Sequence, residues 1–259
     1  MKGKLDELEQ RDVVAKVTGE MPKFISNLVV REKSDGDLRL CLDPQILNKA
    51  IVRQKYPIPS MDELACQISD KYIFSVLDLR EGFWHATLDE ESSYLCSFST
   101  PYGIYRFKKM PFGISCAPEI FQYLVDQVFH GTGAILYFDD CLIAGTDLEE
   151  HDKVMKAVML KSRQEKTKFN PNKIQYRKKR VKFLGHLWSH NQIKIDPDRV
   201  RAITALEEPK TNKQLQKALQ SFNFLRKIIL QMGTIAAPLY ALFSNKVQFH
   251  WVPGHAQAF

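Results

Sequence analysis

Two carboxylates stand side by side at Asp139-Asp140, between the apolar stretches Ala134–Phe138 and Cys141–Ala144. Both flanks read as strands, so the pair is expected in the turn at the tip of a hairpin. Asp is at home in turns, and that is one reading. A tight hairpin turn, however, favours Gly at a central position, and none is present. Adjacent carboxylates also repel by ~1 kcal/mol in water, and by more where water is partly excluded; a divalent cation removes that cost. A third acid, Asp78, ends the apolar run Tyr72-Ile73-Phe74-Ser75-Val76-Leu77, which reads as a strand buried on both faces. A charge there is either paired with a basic group or bound to a metal. If the two segments neighbour in one sheet, three hard oxygen donors converge, a set that suits Mg²⁺ or Mn²⁺ better than zinc. Paired ions of this kind serve phosphoryl transfer by activating one oxygen and stabilising another as it leaves.

The charge points the same way. Net charge is +7, and eight basic residues (Lys166, Lys168, Lys173, Arg177, Lys178, Lys179, Arg180, Lys182) lie in one acid-free segment, so the rest of the chain sums to −1. Phe169, Tyr176 and Phe183 are interleaved with them. Such a tract is either a solvated face or a surface for a polyanion. At 44% apolar and 26% charged residues, the 259-residue composition is that of a globular protein and not of a disordered one. No apolar run reaches the roughly 18 residues of a membrane span. The charged N-terminus lacks the apolar core of a secretory signal, so a cytoplasmic or nuclear location without a membrane is expected. The five cysteines (Cys41, Cys66, Cys96, Cys116, Cys141) have no metal or redox spacing and are expected as reduced, mostly buried thiols.

The elements that must position these residues follow from pattern and punctuation. A helix is expected over Leu5–Val17, then strands Phe24–Val30 and Leu38–Leu42 around the turn Ser34-Asp35-Gly36-Asp37. Asp43-Pro44 opens a short helix, and Ser60-Met61-Asp62-Glu63 is a capping box for one running to about Ser69. Leu95–Ser99 and Tyr105–Lys109 read as a strand pair. Ile120, Phe121, Leu124, Val125, Val128 and Phe129 recur at helical spacing from Pro118 to Gly131. Another helix is expected over Glu150–Lys166. Beyond Gly185 the pattern is mostly helical, with a second capping box at Thr211-Asn212-Lys213-Gln214. The layout is a mixed helix-and-sheet body of about 185 residues and a smaller helical part.

Further blocks occur in order along the chain. They are Ile25-Ser26-Asn27-Leu28-Val29-Val30, Arg39-Leu40-Cys41-Leu42-Asp43-Pro44, Leu47-Asn48-Lys49, Tyr56-Pro57-Ile58-Pro59 and Phe74-Ser75-Val76-Leu77-Asp78. Gly82-Phe83-Trp84, Met110-Pro111-Phe112-Gly113-Ile114-Ser115, Ala117-Pro118, Phe121-Gln122, Tyr137-Phe138-Asp139-Asp140 and Phe183-Leu184-Gly185-His186 follow. In this order and spacing they resemble the reverse transcriptases of gypsy-type LTR retrotransposons, relatives of retroviral polymerases. One Tyr-x-Asp-Asp would be weak evidence; the ordered set is specific. Arg80 and Glu81 depart from the pair the family shows after its first catalytic Asp, and Phe138 is an uncommon residue at its position.

The resemblance implies an α+β right-hand polymerase with fingers, an antiparallel-sheet palm and a helical thumb. Residues 1–23 would form a lead-in, 24–190 fingers and palm, 191–245 the thumb, and 246–259 the start of a tether and ribonuclease H region. Asp78, Asp139 and Asp140 would be the catalytic, metal-holding set, using Mg²⁺, or Mn²⁺ in its place. Arg39, with Lys33 as helper, would hold the triphosphate of an incoming deoxynucleotide. Phe83 would lie beneath its sugar and exclude a 2′-hydroxyl, and Phe112 would flank its base. Tyr137, Phe138, Leu184, Gly185 and His186 would meet the primer. The implied function is RNA-directed DNA polymerase acting on a primed RNA or DNA template. The alternative is a retroelement remnant that binds nucleic acid without polymerising. Ribonuclease H activity has no carboxylate cluster to carry it in this stretch.

Overall fold

The computed structural model describes residues 1–32, 36–53, 55–226, 229–243 and 249–259. They fall into two compact units, Met1–Phe183 with Leu187–Ile193, and Leu184–His186 with Lys194–Phe259. Among the described residues, no helix is long and apolar enough to cross a membrane. All five cysteines are unpaired thiols.

The first unit opens with α1 (Lys2–Gln10), whose Leu5 and Leu8 are buried. The helix stops short of the expected Val17. Asp12 reverses the chain at φ 56°, and Val13-Val14 leads into β1 (Val14–Lys16). There the strand bonds to another strand, an instance of sheet pairing overriding the local helical pattern. Strands β2 (Asn27–Glu32) and β3 (Leu38–Asp43) form the expected antiparallel pair, with Arg31 opposite Arg39. Lys33, Ser34 and Asp35, at its expected turn, lie outside the described residues. Next come α2 (Gln45–Ala50) and α3 (Met61–Gln67), the latter with both capping-box hydrogen bonds at Ser60 and Glu63.

Strand β4 (Ile73–Asp78) is buried along its centre, from Phe74 to Leu77. A short helix absent from the sequence reading, α4 (Glu90–Leu95), follows; Asp89 caps it by accepting from the Ser92 amide at 2.8 Å. Strands β5 (Ser97–Thr100) and β6 (Gly103–Phe107) then complete a sheet of order β1-β6-β5. Its core gathers Leu5, Leu8, Val14, Phe98 and Phe107. Helix α5 (Ala117–Val128), strands β7 (Ile135–Tyr137) and β8 (Asp140–Gly145), and helix α6 (Leu148–Gln164) follow in the expected order. With β9 (Gln175–Lys178) they build the central sheet, β7-β8-β4-β9. Leu77, Phe121, Val125, Cys141, Ile143 and Val158 fill the layer between this sheet and its helices.

The pairing of β4 with β9 shifts register between Phe74 and Val76. Ser75 occupies the break, and its hydroxyl accepts the Arg177 amide at 2.9 Å. Ser75 Oγ also lies 2.8 Å from His151 Nε2, and His151 Nδ1 lies 3.0 Å from Asp152 Oδ1. For a neutral ring, Ser75 donates to His151 and His151 to Asp152. Ser75 and His151 are fully buried, so this Ser-His-Asp order ties β4, α6 and β9 together and offers no nucleophile to a substrate.

Strand β10 (Arg180–Phe183) joins β11 (His186–Ser189) and β12 (Gln192–Ile195) in a further sheet. The β11–β12 hairpin lies where mostly helix was expected. Its turn uses Asn191 at φ 52°, a conformation Asn tolerates well. The second unit otherwise contains α7 (Pro197–Thr204), α8 (Asn212–Asn223), α9 (Met232–Ala241) and α10 (Pro253–Ala258). Thr211 caps α8 as expected, but the Gln214 side chain accepts from the Lys210 amide at 2.7 Å, one residue before the capping-box position. Leu215, Leu219, Ala236 and Leu239 form the core here, and Phe249, Trp251 and Phe259 pack on it.

Ser75→Ala would leave the Arg177 amide and His151 Nε2 without their partner inside the protein. It is expected to cost about 1–3 kcal/mol in urea unfolding followed at the first unit; an unshifted midpoint would show that the network adds nothing to stability.

Candidate active site

Strands β4 and β8 run antiparallel with Asp78 opposite Asp140, so neighbouring strands bring the distant acids together. Tyr137 pairs with Asp140 across the hairpin. The two turn residues are therefore Phe138 and Asp139, and Asp140 is the first residue of the returning strand, not part of the tip as expected. Phe138 sits at φ 50°, where a Gly would be relaxed and a bulky side chain is strained.

Gln122, fully buried on α5, holds that turn. Its Oε1 accepts the Phe138 amide at 2.7 Å, and its Nε2 donates to Leu136 O at 3.1 Å and to Asp126 Oδ1 at 3.0 Å. Tyr56 Oη donates to the other Asp126 oxygen at 2.7 Å, which raises the phenol to about 12. The Leu79 amide donates to Asp139 O at 2.6 Å, pinning the turn to the end of β4.

The carboxylates feel both the protein and each other. Burial first, then Asp78 and Asp140, pushes the Asp139 carboxyl up to about 6, against the pull of Lys173 and Arg39. Asp140 is raised too, by burial and then by Asp78. One side of Asp139 is open to solvent, which screens part of the penalty, so the direction matters more than the size. Asp78 is paired: Lys173 Nζ lies 2.8 Å from its Oδ2. Among the described residues, no three acidic, His or Cys side chains close around one point as a finished metal cage would. The donors nevertheless fit hard divalent cations, being oxygen-only, partly desolvated and mutually repelling.

Gly82, just beyond β4, is pressed against the same acid. A Cβ there would stand 1.9 Å from Asp139 Oδ1 and 2.6 Å from Phe121 Cζ, so only Gly fits. The 3-10 turn it begins (Gly82–His85) carries Phe83, whose ring is 5.0 Å from Phe112 and 5.3 Å from Phe121. Glu81, at φ 58°, enters that turn and is ion-paired with Arg11 of the N-terminal segment. Phe112 O accepts the Leu42 amide at 2.8 Å, which binds this loop to β3. The Arg39 guanidinium, also on β3, lies 4.9 Å from the Phe112 ring centre. Arg39, Phe83 and Phe112 thus form one group linked to the carboxylates through Gly82 and Phe121. The Tyr137 and Phe138 rings meet edge to face at 5.0 Å. Lys33 lies outside the described residues.

Leu184, Gly185 and His186 belong to the second unit. Leu184 and Gly185 have φ of 50° and 73°. A Cβ on Gly185 would come within 2.6 Å of Arg199 Nη1. His186 Nδ1 donates to Leu184 O at 3.0 Å, and its ring lies 4.7 Å from that of Phe224.

Three residues of this site escaped the sequence reading as individuals. Lys173 was one charge within a basic tract, though Asn170-Pro171 before it signals a turn that could aim it. Gln122 and Gly82 stood inside recognised blocks, but only contacts reveal a clamp and a close approach.

The raised Asp139 carboxyl makes the folded chain bind a proton more tightly than the unfolded chain. Its contribution is favourable below about pH 4 and is lost as pH rises through about 6. In EDTA, Asp139→Asn should therefore raise the Tm at pH 7.5, with the gain shrinking toward pH 4; no gain at pH 7.5 would contradict the repulsion.

Residues 30–187 match the family described as reverse transcriptase (RNA-dependent DNA polymerase). The Transposon Tf2-3 polyprotein of Schizosaccharomyces pombe is 30% identical over 229 residues. That match covers 87% of this chain but 17% of the polyprotein, so the chain spans about a sixth of that relative's length. A structure of the foamy viral protease-reverse transcriptase dRH in complex with double-stranded DNA superposes with a TM-score of 0.87 at 22% identity, covering 98% of this chain and 45% of that one. The foamy viral protease-reverse transcriptase in complex with an RNA/DNA hybrid gives 0.87 and 22%, covering 98% and 34%. These likenesses establish a polymerase fold. With more than half of its length matched, the chain belongs to the reverse transcriptase (RNA-dependent DNA polymerase) family.

Proposed function

We propose that this chain is the polymerase portion of a retrotransposon reverse transcriptase, adding deoxynucleotides to a primer 3′-hydroxyl on an RNA or DNA template in the cytoplasm or nucleus. The observation that carries it is the β4–β8 register, which sets Asp78 against Asp140 beside a turn that projects Asp139. In this reading, residues 24–190 are fingers and palm behind the lead-in 1–23, 191–245 the thumb, and 246–259 the start of a tether.

Reverse transcriptases generally use divalent metal ions. Asp78, Asp139 and Asp140 would hold two Mg²⁺, or Mn²⁺ in their place. When bound, such ions supply Lewis acidity at the primer hydroxyl and charge neutralisation at the leaving pyrophosphate. The chain's own residues do the positioning. Arg39, steadied by the Phe112 ring, takes the triphosphate, with Lys33 as its helper. Phe112 flanks the base, and Phe83, backed by Phe121, closes the space a 2′-hydroxyl would need. Tyr137 and Phe138 meet the primer end. Leu184, Gly185 and His186 meet it as well, along a backbone that is left-handed at Leu184 and Gly185.

Primer extension on an RNA template with Mg²⁺ and deoxynucleotides tests the reading. Incorporation by the wild-type chain and its loss in Asp139→Asn are expected. Nucleic-acid binding without incorporation by folded protein would instead favour the remnant alternative, and incorporation unaffected by the substitution would sink the site assignment.

Two further variants probe the surroundings. Phe83→Ala should admit ribonucleotides more readily, and unchanged sugar selectivity would remove its role as a gate. Gly82→Ala should displace the Asp139 carboxylate and lower kcat by at least about tenfold, the effect of roughly 1.4 kcal/mol on the barrier. A variant with normal kcat would show that the site tolerates a Cβ there.

A further inference from the structure

At the end of β4 opposite Asp78, roughly 20 Å away at about 3.3 Å per strand residue, the first unit has a recess. It is an open pocket of 730 Å³ lined by Tyr72, Lys179, Arg180, Ser189, His190 and Gln192. The Tyr72 and His190 rings lie face to face, with centroids 3.7 Å apart and planes at 15°. His190 is fixed from both sides, donating from Nδ1 to Lys71 O at 3.2 Å and accepting at Nε2 from Asn191 Nδ2 at 2.9 Å. Tyr72 is 51% exposed, so this aromatic platform is braced behind and open in front.

The charge of the pocket is one-sided. Among the described residues neither Lys179 nor Arg180 takes part in an ion pair, and no acid lines the recess. The neighbouring acids Asp70 and Glu150 are both engaged by Lys71 Nζ, at 3.6 and 2.8 Å. Ser189, whose hydroxyl donates to Gln192 O at 3.4 Å, and Gln192 bring polar groups to the wall. A simple anion would use the cations but not the platform, and an apolar ligand would use the platform but not the cations. A nucleotide uses both, and polar wall groups suit its base edge.

We propose that this pocket binds one nucleotide unit, its base stacked on Tyr72 and its phosphate held by Lys179 and Arg180. It is a site separate from the carboxylates and independent of their chemistry. The unit is either a free nucleotide or one residue of a single strand; the ligand chemistry is the same.

Photocrosslinking tests this with a short single-stranded oligonucleotide bearing 5-iodouracil, in EDTA and with excess unlabelled primer–template duplex to fill the polymerase cleft. The expected result is an adduct on the tryptic peptide Tyr72–Arg80, lost in Tyr72→Ala and retained in Tyr72→Phe. Tyr72→Ala should weaken oligonucleotide binding about tenfold. The Lys179→Gln/Arg180→Gln double variant should reduce the slope of log K against log salt by about 1.4. Labelling of the same peptide by 5-iodo-dUMP at equal concentration identifies a free nucleotide as the ligand; labelling by the oligonucleotide alone identifies a strand. No adduct there, with binding unchanged in both variants, overturns the proposal. Primer extension separates the two readings: extension without labelling removes this pocket alone, and labelling without extension removes the polymerase reading alone.

Discussion

Three carboxylates within one another's fields repel, and much of the first unit is organised to keep them there. The strand register fixes Asp78 against Asp140, so neither can retreat without breaking the β4–β8 ladder. The turn holds Asp139 forward at the expense of a left-handed Phe138, a conformation that costs of order 1–3 kcal/mol outside Gly. Such an arrangement persists only if its surroundings over-determine it. Gln122 does so with both ends of its amide, and Asp126 and Tyr56 in turn fix Gln122.

The basic tract has a more divided role than its composition suggests. Lys173, itself exposed, pairs with Asp78. Arg177 is spent on Asp152, where it closes the buried network around Ser75. Lys179 and Arg180 face the pocket beside Tyr72. One run of charge thus answers a catalytic-site carboxylate, a structural network and an open recess, because it passes from the 3-10 turn Pro171–Lys173 along the edge strand β9 into β10, which belongs to a different sheet. A single electrostatic label for the segment would have missed all three.

Much of this was legible in the sequence, for reasons that also explain the failures. The carboxylates, the strand ending at Asp78 and the helix carrying Phe121 and Gln122 announce themselves through residue type and period. Helix α4 was readable too, since Asp89 precedes two acids and a serine in the manner of a cap. The end of α1 was not, because Val13-Val14 leaves the helix for a strand more than ninety residues away, with Val14 opposite Phe107. The true turn residues were equally hidden: whether Asp140 belongs to turn or strand depends on its pairing with Tyr137, which no local preference encodes. The family resemblance named Phe83, Phe112 and Arg39 but not the contacts that unite them.

Helix α5 explains how the strain and the chemistry coexist. In consecutive positions it supplies Phe121, which backs Phe83 and limits the space at Gly82, and Gln122, which holds the turn. Phe121 and Val125 are packed in the core beneath the sheet, so the helix cannot shift without opening that layer. The substrate-facing aromatic and the strained turn are therefore referenced to the same rigid element. A displacement of α5 would move both together and preserve their mutual geometry, whereas separate supports would let thermal motion pull the carboxylates out of line with Phe83. That shared support keeps the strained turn, and Asp139 with it, in register with the aromatic group around Phe83.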